Sequence, residues 1–167
     1  MMRKFTKHLP LAIILAALLS GNAFGAEAYP KGAGALEVFD GEAMSALPLP
    51  AKLWLKFMML TFAAGLIFFA WKKPIARWAA GGMIVSMATC APVFTALGLP
   101  VLSGSIAIWH IVCWSPALVL LLTKRPFLKS NEGLPYRTWS VIMTGVILIS
   151  FIFDFRDAAI YIHHFTG

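Results

Sequence analysis

The sequence predicts an all-α membrane protein: four transmembrane helices in an up-and-down bundle after an N-terminal signal sequence. Three observations carry this expectation. Hydrophobic residues make up 60% of the 167 positions and charged residues 13%, where a soluble domain averages roughly half apolar and a quarter charged. Four apolar stretches, near residues 51–71, 78–97, 105–123 and 139–162, each approach the ~20 residues needed to cross ~30 Å of hydrocarbon. Ten of the fourteen basic residues sit beside apolar segments. The formal charge of +7 therefore reads as a topology signal and not as a phosphate-binding surface for nucleic acid.

Residues 1–25 have the pattern of a secretory signal cleaved after Gly25, the competing reading being an uncleaved anchor. Arg3, Lys4 and Lys7 form a basic start, residues 9–19 an apolar core too short to span, and Ala23-Phe24-Gly25 a small-residue cleavage site. Residues 26–50 carry Glu27, Glu37, Asp40 and Glu42 against Lys31 alone, with frequent Gly and Pro. This reads as a short, mostly irregular periplasmic segment with one interfacial helix near residues 35–46, either covering the bundle or serving as a tether.

Residues 51–167 form the transmembrane domain. Lipid offers no partner to unpaired backbone groups, so the four apolar segments must be helices. Their links alternate: "KKPIAR" is basic, "GLPVLSG" uncharged and "KRPFLKSNEGLPYR" basic again. Basic loops stay inside. The reading is a multi-pass protein of the inner (plasma) membrane, with the mature N-terminus and the C-terminus both on the periplasmic side. Trp71, Trp78, Tyr136 and Trp139 fall at inner helix ends, where amphipathic rings favour the interface. Pro92 and Pro116 fall inside the second and third helices, where each removes a backbone hydrogen bond and is expected to kink its helix. The small residues of "AAGGM" and Gly145 allow close helix approach in lipid.

The fourth segment raises the main functional question. From Trp139 to Phe153 is only about 22 Å of helix, so the helix must run on through Asp154, Arg156 and Asp157. His110 lies roughly 9 Å from the outer end of the third helix, and Lys56 lies near the outer end of the first. Lys56, His110, Asp154, Arg156 and Asp157 thus fall in one outer layer. Depth places Asp154 against the bundle interior, within reach of His110 or Lys56, and Asp157 closer to water. One reading is an interfacial seam in which Lys56 and Arg156 snorkel to headgroups. The other is a functional pocket, because intramembrane ionisable groups line cavities or proton paths.

Two further groups bear ligand chemistry. Met83, Met87 and Cys90 recur at i, i+4, i+7 and share a helix face, with Cys113 at mid-depth on the next helix; such soft donors suit Cu(I), although methionine also fills apolar cores. His163 and His164 lie at the outer end of the fourth helix, where one of them can fold back over His110. Neither group is expected to hold a metal, and no cofactor is expected. The chain has no phosphate-binding glycine loop, no Gly-x-Ser-x-Gly and no His-Glu-x-x-His.

The expectation is therefore a non-enzymatic accessory or scaffolding subunit of a membrane complex, partnered by the bilayer and by other subunits or copies of itself. The first alternative is a small-solute or proton-coupled transport component using the outer ionisable cluster. The second is a membrane redox or metal-handling protein.

Overall fold

A computed structural model describes residues 28–167, and the signal-like segment 1–25 lies outside them. The described chain contains five α-helices: α1 (Gly41–Ala46), α2 (Leu49–Ala64), α3 (Pro74–Ala96), α4 (Ser103–Lys124) and α5 (Leu134–Thr166). A π-helical turn, Gly65–Phe69, extends α2, and a 3-10 turn, Pro126–Leu128, follows α4. With their extensions, α2, α3, α4 and α5 are long and apolar enough to cross a membrane. Large side chains such as Leu60, Phe68 and Ile152 stand exposed on their surfaces, which is compatible with a hydrocarbon environment.

Local chemistry fixes the helix starts. Asp40 caps α1, its carboxylate accepting from the N–H groups of Glu42 and Ala43 at 2.9 Å each. Proline occupies the first turn of α2, α3 and α5, where its missing N–H has no helical partner to lose. At the start of α4, Ser105 Oγ accepts from Leu102 N–H at 2.9 Å and donates to Leu102 C=O at 2.7 Å. The chain leaves α4 through Arg125, in the left-handed conformation at φ 44°.

The segment ahead of α1 covers part of the bundle. The N–H groups of Ser103 and Gly104, at the start of α4, donate to the carbonyls of Glu37 and Ala35 at 2.9 and 2.8 Å. These are the orphan donors that any helix start leaves. Tyr29, Leu36 and Val38 pack on a cluster of Cys90, Phe94, Leu102 and Tyr161, and Tyr161 donates to the Pro100 carbonyl at 2.7 Å.

The main core lies among the long helices. Trp114, Trp139, Tyr136, Met143, Ile147 and Phe151 pack with Phe62 and Met83. α4 is the most extensively packed helix, against α5 and α3, whereas α2 touches α5 and α3 only sparsely. Small residues make the α3–α4 approach possible: Ala76 and Ala79 are buried, and a side chain at Gly82 would run into the Cys113 carbonyl.

Several details differ from the sequence reading. The helix in the leading segment is confined to Gly41–Ala46. α5 begins five residues earlier than expected and continues through His163 and His164, so both histidines are held in the helix. Tyr136 and Trp139 stack on each other and are buried, while Trp71 and Trp78 stand exposed. The placement of Pro92 and Pro116 inside α3 and α4 does agree with the sequence reading. Gly145 has open space where a side chain would sit.

Candidate functional site

Helix register brings the polar groups together. Trp109 donates to Thr89 Oγ1 at 2.8 Å and Trp114 to Ser86 Oγ at 3.3 Å. These bonds set α4 against α3 and place His110 at the depth of Met87 and Cys90. His110 and Trp114 are four residues apart, hence on one face, and their rings stack at 4.1 Å with planes 17° apart. On the other side, His110 Nδ1 faces Asp154 Oδ1 of α5 at 3.6 Å. That separation makes an ion pair when the imidazole is protonated but is too long for a good hydrogen bond. Asp154 Oδ2 is buried with no hydrogen-bond partner.

His110 also lines a cavity of about 720 Å³ between α2, α3 and α4. The wall is otherwise mostly apolar: Leu55, Met58, Met59 and Leu60 from α2, Met83, Met87, Cys90 and Ala91 from α3, and Ile106 from α4. Phe39 and Met44 from the leading segment complete it. Among the described residues, Lys56 is the only lysine on this wall. One turn earlier, Lys52 is engaged with the Ser45 carbonyl at 2.6 Å, tying α2 to the end of α1.

The five ionisable residues singled out from the sequence are thus partly assembled. His110 and Asp154 meet, and Lys56 shares the cavity wall with His110. No ion pair joins Lys56 to Asp154 among the described residues. Arg156 is exposed, and Asp157 is half-buried beside the start of α4, where its carbonyl crowds Gly104.

The sulfur group divides. Met83, Met87 and Cys90 line the cavity, but Cys113 packs on the main core instead. Met58 turns its sulfur toward α5, accepting from Ser150 Oγ at 3.6 Å. Both cysteines are free thiols. His163 and His164 line a separate hollow with Leu36, Ile160 and Gly167, and His164 lies edge-on to Tyr29; neither reaches His110. Among the described residues, no group of three or more His, Cys, Asp or Glu converges on a point where a metal would bind.

Sequence reasoning missed the cavity itself and the contribution of Phe39 and Met44 to it. The His110–Trp114 stack was legible from the i, i+4 spacing. The cavity was not, because it depends on how far α2 stands off from α3.

No family model, curated protein or solved structure matches this chain.

Proposed function

We propose that this protein is a non-enzymatic membrane component that binds a small amphipathic molecule in the outer half of the bilayer, the apolar part in the cavity and the polar part against Lys56 and His110. In this reading the chain is an up-and-down bundle in the inner membrane, with α1 and the end of α5 on the periplasmic side. The positive-inside distribution of Lys and Arg supports that orientation. The pairings Ser86–Trp114 with Thr89–Trp109, and Met58–Ser150 with Thr61–Trp139, fit antiparallel α3–α4 and α2–α5 neighbours.

One observation carries the proposal: a His–Asp pair with an unpartnered carboxylate oxygen stands behind the wall of a large, mostly apolar cavity. A buried polar atom without a partner is costly, and ionisable groups within membrane helices line ligand or proton pathways. Pockets that bind small molecules combine apolar walls with a few convergent polar groups. Five methionines on the wall (Met44, Met58, Met59, Met83 and Met87) suit an occupant of variable shape, since the thioether side chain repacks readily.

The test is equilibrium binding of a fluorescent long-chain carboxylate and of its uncharged alcohol analogue to the purified protein. Saturable binding that favours the carboxylate, and that Lys56→Gln weakens severalfold, is the expected result. Equal, unsaturable partitioning of both probes contradicts it.

A second reading, an accessory or scaffolding subunit, is favoured by the sparse packing of α2, whose Leu53, Phe57 and Leu60 are exposed. A partner helix, from another subunit or a second copy, would then lie along α2. Crosslinking from Leu60 in native membranes should capture that neighbour; crosslinks to lipid alone count against it.

A further inference from the structure

A second hollow, of about 320 Å³, lies away from this cavity, where α3 begins, α4 ends and α5 begins. Its lining combines two kinds of surface. Lys73, Lys124 and Lys129 supply cations, with Glu132 as the one acidic member, leaving a net of two positive charges. Ile75, Trp78 and Leu120 supply an apolar flank.

The cations are not equivalent. Lys73 is paired with Glu132 and sits over the Tyr136 ring, 4.9 Å from its centroid. It is a fixed part of the wall, already neutralised. Lys124 and Lys129 are exposed, and neither has an ion-pair partner among the described residues. Their placement follows from the backbone. Arg125, in its left-handed conformation, turns the chain out of α4, and Pro126–Leu128 folds as a 3-10 turn. Both lysines then line the same hollow, with buried Pro126 between them in sequence.

The apolar flank distinguishes the occupant. Trp78 is half exposed, and with Ile75 and Leu120 it belongs to helices long and apolar enough to span a bilayer. A soluble anion has no use for such a surface, whereas a lipid lays an acyl chain along it. Basic hollows between transmembrane helices at the headgroup level are a recurrent way to hold anionic lipid.

We infer that this hollow binds an anionic phospholipid, its phosphodiester between Lys124 and Lys129 and an acyl chain along Trp78 and Leu120. The inference does not depend on the cavity at His110 or on which leaflet the hollow faces, because phosphodiesters occupy both.

The experiment uses the full chain in nanodiscs of mixed phosphatidylglycerol and phosphatidylcholine, with retained lipid counted by native mass spectrometry. The wild type should retain phosphatidylglycerol in preference to phosphatidylcholine. The double variant Lys124→Gln/Lys129→Gln should lose roughly thirtyfold in that preference, as two lysines near a headgroup imply. Lys72→Gln/Arg77→Gln removes the same charge from residues outside the hollow and should lose clearly less of the preference than Lys124→Gln/Lys129→Gln, because diffuse surface charge is screened whereas a phosphodiester held between two lysines is not. Equal retention of the two lipids by the wild type would overturn the inference even if the variants do not fold. Equal losses in the two double variants would also overturn it, reducing the effect to diffuse charge. So would competition by free glycerol phosphate at the lipid's own concentration, which would make this a soluble-anion site.

Discussion

Asp154 meets His110 with one carboxylate oxygen, at 3.6 Å, and leaves the other buried without a partner. The pair joins α5 to α4 through groups 44 positions apart in sequence. Asp154→Asn and His110→Gln should each lower the melting temperature in detergent. The double variant should lose less than the sum, because either change alone removes the shared contact. Polar contacts between membrane helices couple by about 0.6 kcal/mol on average, so a coupling of that order is expected. Strict additivity would mean that the two groups do not interact.

The glycines of α3 make a sharper stability prediction. A methyl group at Gly82 meets the backbone carbonyl of Cys113, which cannot move aside, whereas Gly81 and Gly145 have open space within 4 Å. Gly82→Ala should destabilise by roughly 1–3 kcal/mol, the usual cost of overpacking. Gly81→Ala and Gly145→Ala should be neutral or stabilising, by up to about 1 kcal/mol of helix propensity. Thermal denaturation of the three variants decides it; equal losses would contradict the close α3–α4 approach.

At the π-helical end of α2, the indole N–H of Trp139 donates to the Thr61 carbonyl at 2.9 Å, and its ring lies against Gly65, 2.6 Å from where a Cβ would stand. Trp139→Phe should cost about 1 kcal/mol for the lost hydrogen bond, plus any cavity left behind. Gly65→Ala should cost more in wild type than in the Trp139→Phe background, where the smaller ring leaves room. Identical costs in both backgrounds would refute that contact.

How much of this was legible in the sequence differs from one element to the next. The four long helices follow from hydrophobic length alone, because lipid admits little else. The meeting of His110 and Asp154 was within reach, since depth along a helix is read directly from residue number. Lateral relations were not. That a side chain at Gly82 would run into α4 while one at Gly145 would meet open space, or that Tyr136 and Trp139 turn inward while Trp71 and Trp78 face out, depends on helix rotation. All-round apolar helices carry little periodic signal of rotation. The docking of residues 28–40 on α4 was also hidden, because it runs through backbone groups, Ser103 and Gly104 N–H to Glu37 and Ala35 C=O.

That docked segment should respond to pH. Lys31 bridges Glu42 at 2.5 Å and Asp40 at 3.2 Å. The bond to Glu42 chiefly, then that to Asp40, raises the Lys31 ammonium above its ordinary 10.5. The Ala43 N–H chiefly, with Lys31 adding and desolvation opposing, holds the Asp40 carboxyl below its ordinary 3.8. A raised lysine contributes stability below its unfolded value and loses it as pH rises through the folded one; a lowered carboxylate contributes above its unfolded value and loses it as pH falls through the folded one. Order in α1 should therefore hold from about pH 4 to about pH 10 and fall outside that window. Amide exchange at Ala43 and Met44, corrected for intrinsic rates, reads it. Asp40→Asn should flatten the acid limb, and an unchanged acid limb would remove Asp40 from the cap.

The cavity is the centre of the functional account, and its occupancy is the most direct test. The wild-type chain and an Ala91→Phe variant, which fills the wall from α3, would be extracted from native membranes in polymer discs without detergent. Molecules released on denaturation would be identified and counted by mass spectrometry. The account predicts one amphipathic species enriched with the wild type and lost from Ala91→Phe, while the melting temperature of the variant stays near wild type. An identical complement of bulk lipid from both proteins would contradict it.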